Sequence, residues 1–359
     1  MWLNTSIATM LSLAFARSAA AFSGSRHSML TRKILPTTTH LSRLGMATSS
    51  ALSGNLVSVD ECLAAFGATD EDGGRTVFVD GSWHLSPDRD GRADYEAGPR
   101  IADARFFDID DVSSKGEELN PKGLPHMMPP KKLFGAVMDA LDIRSNDSII
   151  VYGTEGCMFT ARAFYAIRAM GHASGRVHLM QGSLAEWESR GGKIETGQKK
   201  AVVAADVNFE KESAYISKDA VNFVDMTEVL TVVNSGTDFA DGVVVDARSA
   251  GRFRAEAPEP REGLRGGRMP GSLNVPFTDL LDMDDPTKFR SAEDLQAAFE
   301  RGGVDVNADK RIICSCGSGV TACAVAVALE ECGRDPSRTF IYDGSWIEWG
   351  SEPNTPIIS

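Results

Sequence analysis

The stretch Arg311-Ile312-Ile313-Cys314-Ser315-Cys316-Gly317-Ser318-Gly319-Val320-Thr321 joins a short β-branched run to a Gly-rich turn, and Val320 opens an Ala/Val-rich segment reaching Cys332. That pattern predicts a strand buried on both faces, a tight loop and a buried helix. The chain contains the series twice. Ser148-Ile149-Ile150-Val151-Tyr152 precedes a Gly-containing loop and then Phe159-Thr160-Ala161-Arg162-Ala163-Phe164-Tyr165-Ala166. Both series end on one signal, Gln181-Gly182-Ser183-Leu184-Ala185-Glu186-Trp187 and then Asp343-Gly344-Ser345-Trp346-Ile347-Glu348-Trp349. The offset is 161 residues from Thr160 to Thr321 and 162 from Trp187 to Trp349. Constancy over a whole series of elements predicts two homologous domains, not a short-period solenoid.

Strands are expected at Thr76–Asp80, Ser148–Tyr152 and 176–180 in the first copy, and at 242–246, 311–314 and Thr339–Tyr342 in the second. Helices are expected at 160–170 and 320–332, each followed by a Gly stop. Apolar strands alternating with helices imply an α/β fold: two homologous domains, each a mostly parallel sheet with helices on both faces. The expected division is a leader over 1–50, a first domain over 55–190, a Gly/Lys/Glu-rich linker over 191–212 and a second domain over 213–359.

The composition agrees with two globular cores. The chain has 359 residues, 42% hydrophobic and 24% charged, which excludes a disordered or collagen-like protein. Its six cysteines are too sparse for a disulfide scaffold. The longest apolar run, residues 7–22, is broken by Thr9, Ser12, Arg17 and Ser18, so no membrane span is expected. A net charge of −13 argues against nucleic acid or an anionic membrane surface as a partner. Residues 1–59 carry five positive charges and no Asp or Glu, the composition of a targeting segment. An early apolar region, Ser18-Ala19-Ala20-Ala21-Phe22 and a basic Ser/Thr-rich stretch resemble a two-part plastid leader. The alternatives are a mitochondrial presequence, or a cytosolic form started at Met46.

The second Gly-rich loop lies at the carboxyl end of a strand and the start of a helix, where open α/β sheets bind ligands. Backbone N–H groups of such a turn form an anion nest, which stabilises a cysteine there as its thiolate. Cys316 opens the turn and is the expected nucleophile, while Cys314 still lies on the strand and reads as a small hydrophobe or a redox partner. Gly317 and Gly319 are expected to supply backbone freedom, a side chain at either crowding the sulfur. Ser318 and Thr321 offer hydroxyls. Cys323 reads as core, and Cys62, Cys157 and Cys332 as structural or incidental. The second half holds no His, so no metal site is expected. Aligned on its strand, the first copy places Gly153 opposite Cys316, so only the second copy is expected to be catalytic.

With these features in view, residues 55–359 resemble the tandem-domain rhodanese family of sulfurtransferases. The resemblance rests on the Cys316-Gly317-Ser318-Gly319-Val320-Thr321 loop and on Asp343-Gly344-Ser345-Trp346-x-Glu348-Trp349. It extends over Val245-Asp246-Ala247-Arg248-Ser249-Ala250-Gly251-Arg252-Phe253, Pro258-Glu259-Pro260-Arg261 and Pro270-Gly271-Ser272-Leu273-Asn274-Val275-Pro276-Phe277. In the first copy, Phe106-Phe107-Asp108-Ile109-Asp110 and Pro125-His126-Met127-Met128-Pro129 also fit. In the family's thiosulfate branch the two positions after the nucleophile are basic. Gly317 and Ser318 instead match the 3-mercaptopyruvate branch.

The resemblance implies that Arg252 and Arg261 hold the carboxylate and keto oxygen of the donor, with Gly317, Gly319, Val320 and Thr321 around it. It also implies a relay of Ser318, His126 and Asp110, against which His126 reads as a plain loop histidine between prolines. Arg248 reads as a support of the loop by ion pairing, beside Asp246. The segment 113–123 is longer than usual between Asp110 and His126. The family's His-Ile-Pro-Gly turns read Arg100-Ile101-Ala102-Asp103 and Arg268-Met269-Pro270-Gly271. The implied reaction passes sulfur through a Cys316 persulfide to thioredoxin, glutathione, another small thiol or cyanide, without metal or organic cofactor, in a monomer or weak dimer. The rivals are a thiosulfate:cyanide sulfurtransferase, and a persulfide carrier or redox sensor using Cys314 and Cys316. A Cys-dependent phosphatase needs an Arg closing the loop, where this chain has Ala322 or Val320.

Overall fold

The computed structural model describes residues 52–235 and 242–359; the expected leader lies outside them. Twelve strands are described: β1 (Leu56–Ser58), β2 (Thr76–Asp80), β3 (Arg100–Ile101), β4 (Arg105–Phe106), β5 (Ser148–Tyr152), β6 (Val177–Gln181), β7 (Ile194–Glu195), β8 (Phe223–Val224), β9 (Val243–Asp246), β10 (Leu273–Asn274), β11 (Ile312–Ser315) and β12 (Thr339–Tyr342). Ten of them form two five-stranded sheets, ordered β1-β6-β5-β2-β4 and β10-β9-β11-β12-β8. Read from its β8 edge, the second sheet repeats the first, and every pairing in both is parallel. The duplication seen in sequence is therefore a duplication of topology.

The apolar runs supply the inner strands. Ile149 to Tyr152 and all of β11 are buried, as a central parallel strand covered on both faces requires. The strand expected at 176–180 begins at Val177, because a 3₁₀ turn takes up Ser174–Arg176. The one expected at 311–314 shifts to Ile312–Ser315, with Ser315 facing Asp246 of β9. The four edge strands, β1, β4, β8 and β10, hold only two or three residues each and had no readable signal.

The two copies share a core. The helices Ala161–Ala169 and Ala322–Glu331 each follow a central strand, and their buried residues lie in one apolar cluster with Ile149 and Val151 of the first sheet and Cys314 and Ile341 of the second. Residues 322–329 are buried without a break, so this helix has no solvent face and is apolar all round. Only its carboxyl end is polar. There Glu330 accepts from Arg168 Nη1 (2.9 Å), Tyr165 Oη (2.8 Å) and Asn55 Nδ2 (3.2 Å), all from the first copy.

Residues 191–212, expected as a linker, lie along the first copy as a strap. Here β7 pairs antiparallel with β3, Ala201 and Ala204 are buried, and the Ala204 N–H donates to Asp111 (2.6 Å). The strap continues beyond the expected limit. Tyr215 Oη meets His172 Nδ1 at 2.7 Å, and the Lys218 N–H donates to the Met170 carbonyl at 2.8 Å. Its backbone groups thus find partners that a solvated linker would lack. The long segment 113–123 is closed in a similar way. Asn120 donates to the carbonyls of Ser114 (3.1 Å) and Leu124 (2.7 Å) and accepts from the Leu124 N–H (2.9 Å), which returns the chain to His126 beside Asp110.

Phe164 is fully buried in the shared core. Phe164→Ala is expected to cost about 3–5 kcal/mol and to shift one cooperative urea transition to lower denaturant. Two separated transitions in the wild-type chain would show that the copies do not depend on a common core.

Candidate active site

At the end of β11 the chain turns sharply, and the closing signal of the second copy forms the wall of that turn. The Cys316 N–H donates to Ser345 Oγ (3.1 Å), while the Trp346 and Ile347 N–H groups donate to the carbonyls of Cys316 (3.0 Å) and Gly317 (2.9 Å). The loop is fixed on its outer side, and the Gly319 N–H points inward to Cys316 Sγ at 3.1 Å. A donor aimed at sulfur stabilises negative charge that develops there during transfer. Cys316 is only 2% exposed but lines an open cavity of about 470 Å³.

The two glycines are not equivalent. Gly319 has φ +81°, and a Cβ there would lie 2.8 Å from the Asp343 carbonyl oxygen, so a side chain is excluded on two counts. At Gly317 an added Cβ would meet only the Arg252 guanidinium among the described residues, with Nη2 at an ordinary 3.5 Å and Nη1 at 3.9 Å. The expected crowding of sulfur at Gly317 is thereby corrected: its backbone conformation is open to other residues, and a side chain there would extend toward Arg252.

Ala247, Arg248, Arg252, Arg261, Gly317, Ser318, Val320 and Thr321 line the cavity with Cys316. The first copy supplies the opposite wall, including Trp83, His84, Leu85, Met158 and Phe159. Arg248 is buried and acts as a strut. It binds Asp246 through Nε (3.0 Å) and Nη2 (2.7 Å), Glu259 through Nη1 (2.8 Å) and the Gly267 carbonyl through Nη2 (2.7 Å), with its guanidinium 3.8 Å from the Trp346 ring centroid. Glu259 also accepts from Arg252 Nη2 at 2.5 Å. Arg261 has no ion-pair partner among the described residues. Three guanidinium groups thus face two carboxylates, which leaves one positive charge beside the cavity.

His126 and Asp110 meet, but they do not complete a chain to Ser318. His126 Nδ1 closely approaches Asp110 Oδ1 without hydrogen-bond alignment, and its Nε2 is buried without a partner. Trp83 packs edge-on against the His126 ring, with centroids 5.1 Å apart, and donates from Nε1 to Asp110 Oδ2 at 2.8 Å. Burial opposes ionisation of Asp110, but the contacts with His126 and Trp83 outweigh it and hold the carboxyl below its usual range. Among the described residues no hydrogen bond joins Ser318 to His126, and neither His126 nor Asp110 lines the cavity. The Ser318 leg of the expected relay is therefore open, because the imidazole is turned into the Trp83–Asp110 pair.

The other thiols are set apart from the cavity. Burial pushes Cys62 and Cys323 up to about 12 and Cys332 up to about 11, and raises Cys314 and Cys157 as well. In the first copy, a Cβ at Gly153 would fall 2.8 Å from Thr160 Cγ2 and 3.1 Å from Cys157 Cβ, so that loop is filled by its own side chains. Arg162, which had no role assigned in sequence, also stands at the site. It reaches from the first copy to the Gly319 carbonyl and to Asp343, where its only signal in sequence was a charge among apolar neighbours.

Comparison with known proteins follows the same lines. The Rhodanese-like domain family matches residues 230–352. Thiosulfate/3-mercaptopyruvate sulfurtransferase 1, mitochondrial, of Arabidopsis thaliana is 31% identical, covering 91% of this chain and 84% of its own. The 3-mercaptopyruvate sulfurtransferase of Escherichia coli K12 is 37% identical, covering 75% of this chain and 86% of its own. The crystal structure of the Tum1 protein from Saccharomyces cerevisiae superposes with a TM-score of 0.69 at 29% identity, covering 82% of this chain and 94% of that one.

Gly319→Ala and Gly317→Ala should separate the two glycines. The first carries the strain of a left-handed side chain, about 1–2 kcal/mol, plus the clash with Asp343, and is expected to lower both the urea midpoint and sulfur loading of Cys316. The second should leave unfolding stability unchanged within about 0.5 kcal/mol.

Proposed function

The chain belongs to the rhodanese-type sulfurtransferases, and from that premise we propose that it moves sulfur from 3-mercaptopyruvate through a persulfide on Cys316 to a thiol acceptor, releasing pyruvate. The observation that carries this reading is the charge beside Cys316. One uncompensated guanidinium suits a monoanionic α-keto acid, whereas a loop with Gly317 and Ser318 offers no second cation for a dianion such as thiosulfate.

In the first half-reaction the Cys316 thiolate attacks the donor sulfur. The carbon–sulfur bond breaks, its electron pair passes to the carbon as the enolate of pyruvate, and the enolate takes a proton. The persulfide Cys316–S–SH remains, with the donor's thiol proton on its outer sulfur. Arg252 and Arg261 bind the carboxylate and the keto oxygen, and so stabilise the enolate as charge develops on it. In the second half-reaction an acceptor thiolate attacks the outer sulfur, and Cys316 leaves as thiolate toward the Gly319 N–H. A proton relay through Ser318, His126 and Asp110 requires the His126 ring to turn from the Trp83–Asp110 pair toward Ser318. Trp83, Leu85, Met158 and Phe159 leave an apolar wall larger than the donor needs, which suits thioredoxin or a small thiol as the acceptor.

The domain assignment follows the duplication: 55–190 is the non-catalytic copy, 191–212 the connection and 213–359 the catalytic copy, whose first residues, to Val221, still pack on the first copy. The leader composition supports an organelle as destination, plastid or mitochondrion, and the Arabidopsis relative is named mitochondrial.

The test is to incubate the protein with 3-mercaptopyruvate or with thiosulfate, weigh the intact chain and assay pyruvate. One added sulfur on Cys316 with matching pyruvate, faster from 3-mercaptopyruvate, is expected; faster loading from thiosulfate overturns the donor assignment, and no loading favours a carrier or sensor. Cys316→Ser should abolish loading from either donor. Gly317→Arg, at a position whose backbone accepts a side chain, is expected to shift the ratio of kcat/KM values toward thiosulfate by at least roughly tenfold, one lost or gained charged contact.

A further inference from the structure

Arg162 sits near the start of the Ala161–Ala169 helix, among buried Ala161, Ala163 and Phe164, and is itself 1% exposed. Its guanidinium leaves the first copy and enters the second. Nη1 donates to the Gly319 carbonyl at 3.1 Å, and Nη2 donates to Asp343 Oδ1 at 2.9 Å and to the His126 carbonyl. The guanidinium also lies 5.0 Å from the Phe223 ring centroid. Asp343 continues the link, since its Oδ2 accepts from the Met128 N–H at 2.7 Å.

Two features make this more than a buried ion pair. Burying a guanidinium costs desolvation that an apolar side chain of similar volume avoids, so packing alone is a weak reason for an arginine here. The two carbonyls it holds also belong to residues with left-handed backbones, Gly319 at φ +81° and His126 at φ +62°. Gly319 is the residue whose N–H faces the Cys316 sulfur. His126 carries the imidazole beside Asp110.

The geometry points to Arg162 as a positioning residue for sulfur transfer: through one guanidinium it fixes the Gly319 turn under the Cys316 sulfur and the His126 backbone of the opposite copy, with Asp343 as its anchor. It touches neither the sulfur donor nor the Cys316 sulfur; the one thiol beside its guanidinium among the described residues is that of buried Cys323. A loosened Gly319 turn would misalign the N–H donor aimed at the Cys316 sulfur, and misplacement of preorganised donors lowers the rate of the chemical step more than ground-state binding. This inference rests on the sulfurtransferase reading above.

The experiment compares the full chain with Arg162→Met and Arg162→Lys, reading kcat, KM for 3-mercaptopyruvate, single-turnover persulfide loading by intact mass, and the circular dichroism melt. Arg162→Met is expected to lower kcat roughly ten- to hundredfold, as for loss of an oriented donor. KM should stay within about threefold, because Arg252 and Arg261 remain. Arg162→Lys, which keeps the charge and part of the donor set, should recover about tenfold over Met. A folded Met variant with wild-type kcat overturns the proposal, as does a rise in KM at unchanged kcat or a Lys variant no better than Met. If Arg162→Met does not fold, Asp343→Asn decides: lower kcat at steady KM supports the anchor, and unchanged kcat overturns it. A wild-type chain that loads sulfur only from thiosulfate sinks the donor assignment but leaves the same comparison valid with that donor. A wild-type chain that loads from neither donor overturns the sulfurtransferase reading and this inference together.

Discussion

The packing of the helices Ala161–Ala169 and Ala322–Glu331 into one core sets the geometry of everything else in the protein. Each helix follows the central strand of its sheet, so burying both in a common interior brings the carboxyl ends of the two sheets to face each other. The cavity lies between those ends. Trp83 follows β2, Met158 follows β5, Arg248 follows β9 and Cys316 follows β11. A cleft of this kind needs no loop of unusual length; two ordinary strand ends serve once their helices cannot separate. The cluster around Glu330 closes the far end of the same contact.

Within that frame the two copies have divided the work. The second holds the sulfur, the donor aimed at it and the cationic side of the cavity. The first contributes an aromatic and apolar wall, the His126–Asp110 pair and the Arg162 guanidinium. Charge follows the same division. Glu259 binds both Arg248 and Arg252, so a single buried carboxylate sets how much positive field remains for an incoming anion. An acidic protein thereby presents a locally cationic pocket.

Much of this organisation was readable before any coordinates, for particular reasons. Ile149-Ile150-Val151 and Ile312-Ile313-Cys314 are continuous apolar runs, and only a strand covered on both faces asks for them. Cys316 stood out because it opens a Gly-rich turn between strand and helix, where backbone N–H groups converge on an anion. The edge strands were not, since pairs such as Leu273-Asn274 carry no period to detect. Residues 191–212 looked unstructured for a related reason. Their partners, β3 and Asp111, lie about a hundred residues earlier, beyond any local pattern. Arg162 is one charge in an otherwise uncharged repeat, and only the meeting of two copies gives it partners in Gly319 and Asp343. Gly317 was misjudged because the sequence shows a missing side chain but not the space around it.

The filled loop at Gly153 has a meaning for the history of the molecule. A duplicated domain begins with two equal chances of keeping its chemistry, and a single codon change could in principle restore a cysteine at that place. Here the space that such a sulfur would occupy has been taken by Thr160 and Cys157, and the loop has grown by two residues relative to its twin. A side chain at Gly153 would require Thr160 and Cys157 to give way as well. On the reading that Cys316 is the nucleophile, this crowding works as a ratchet: the first copy stays a wall, and selection can refine what that wall admits without opening a second centre of reaction.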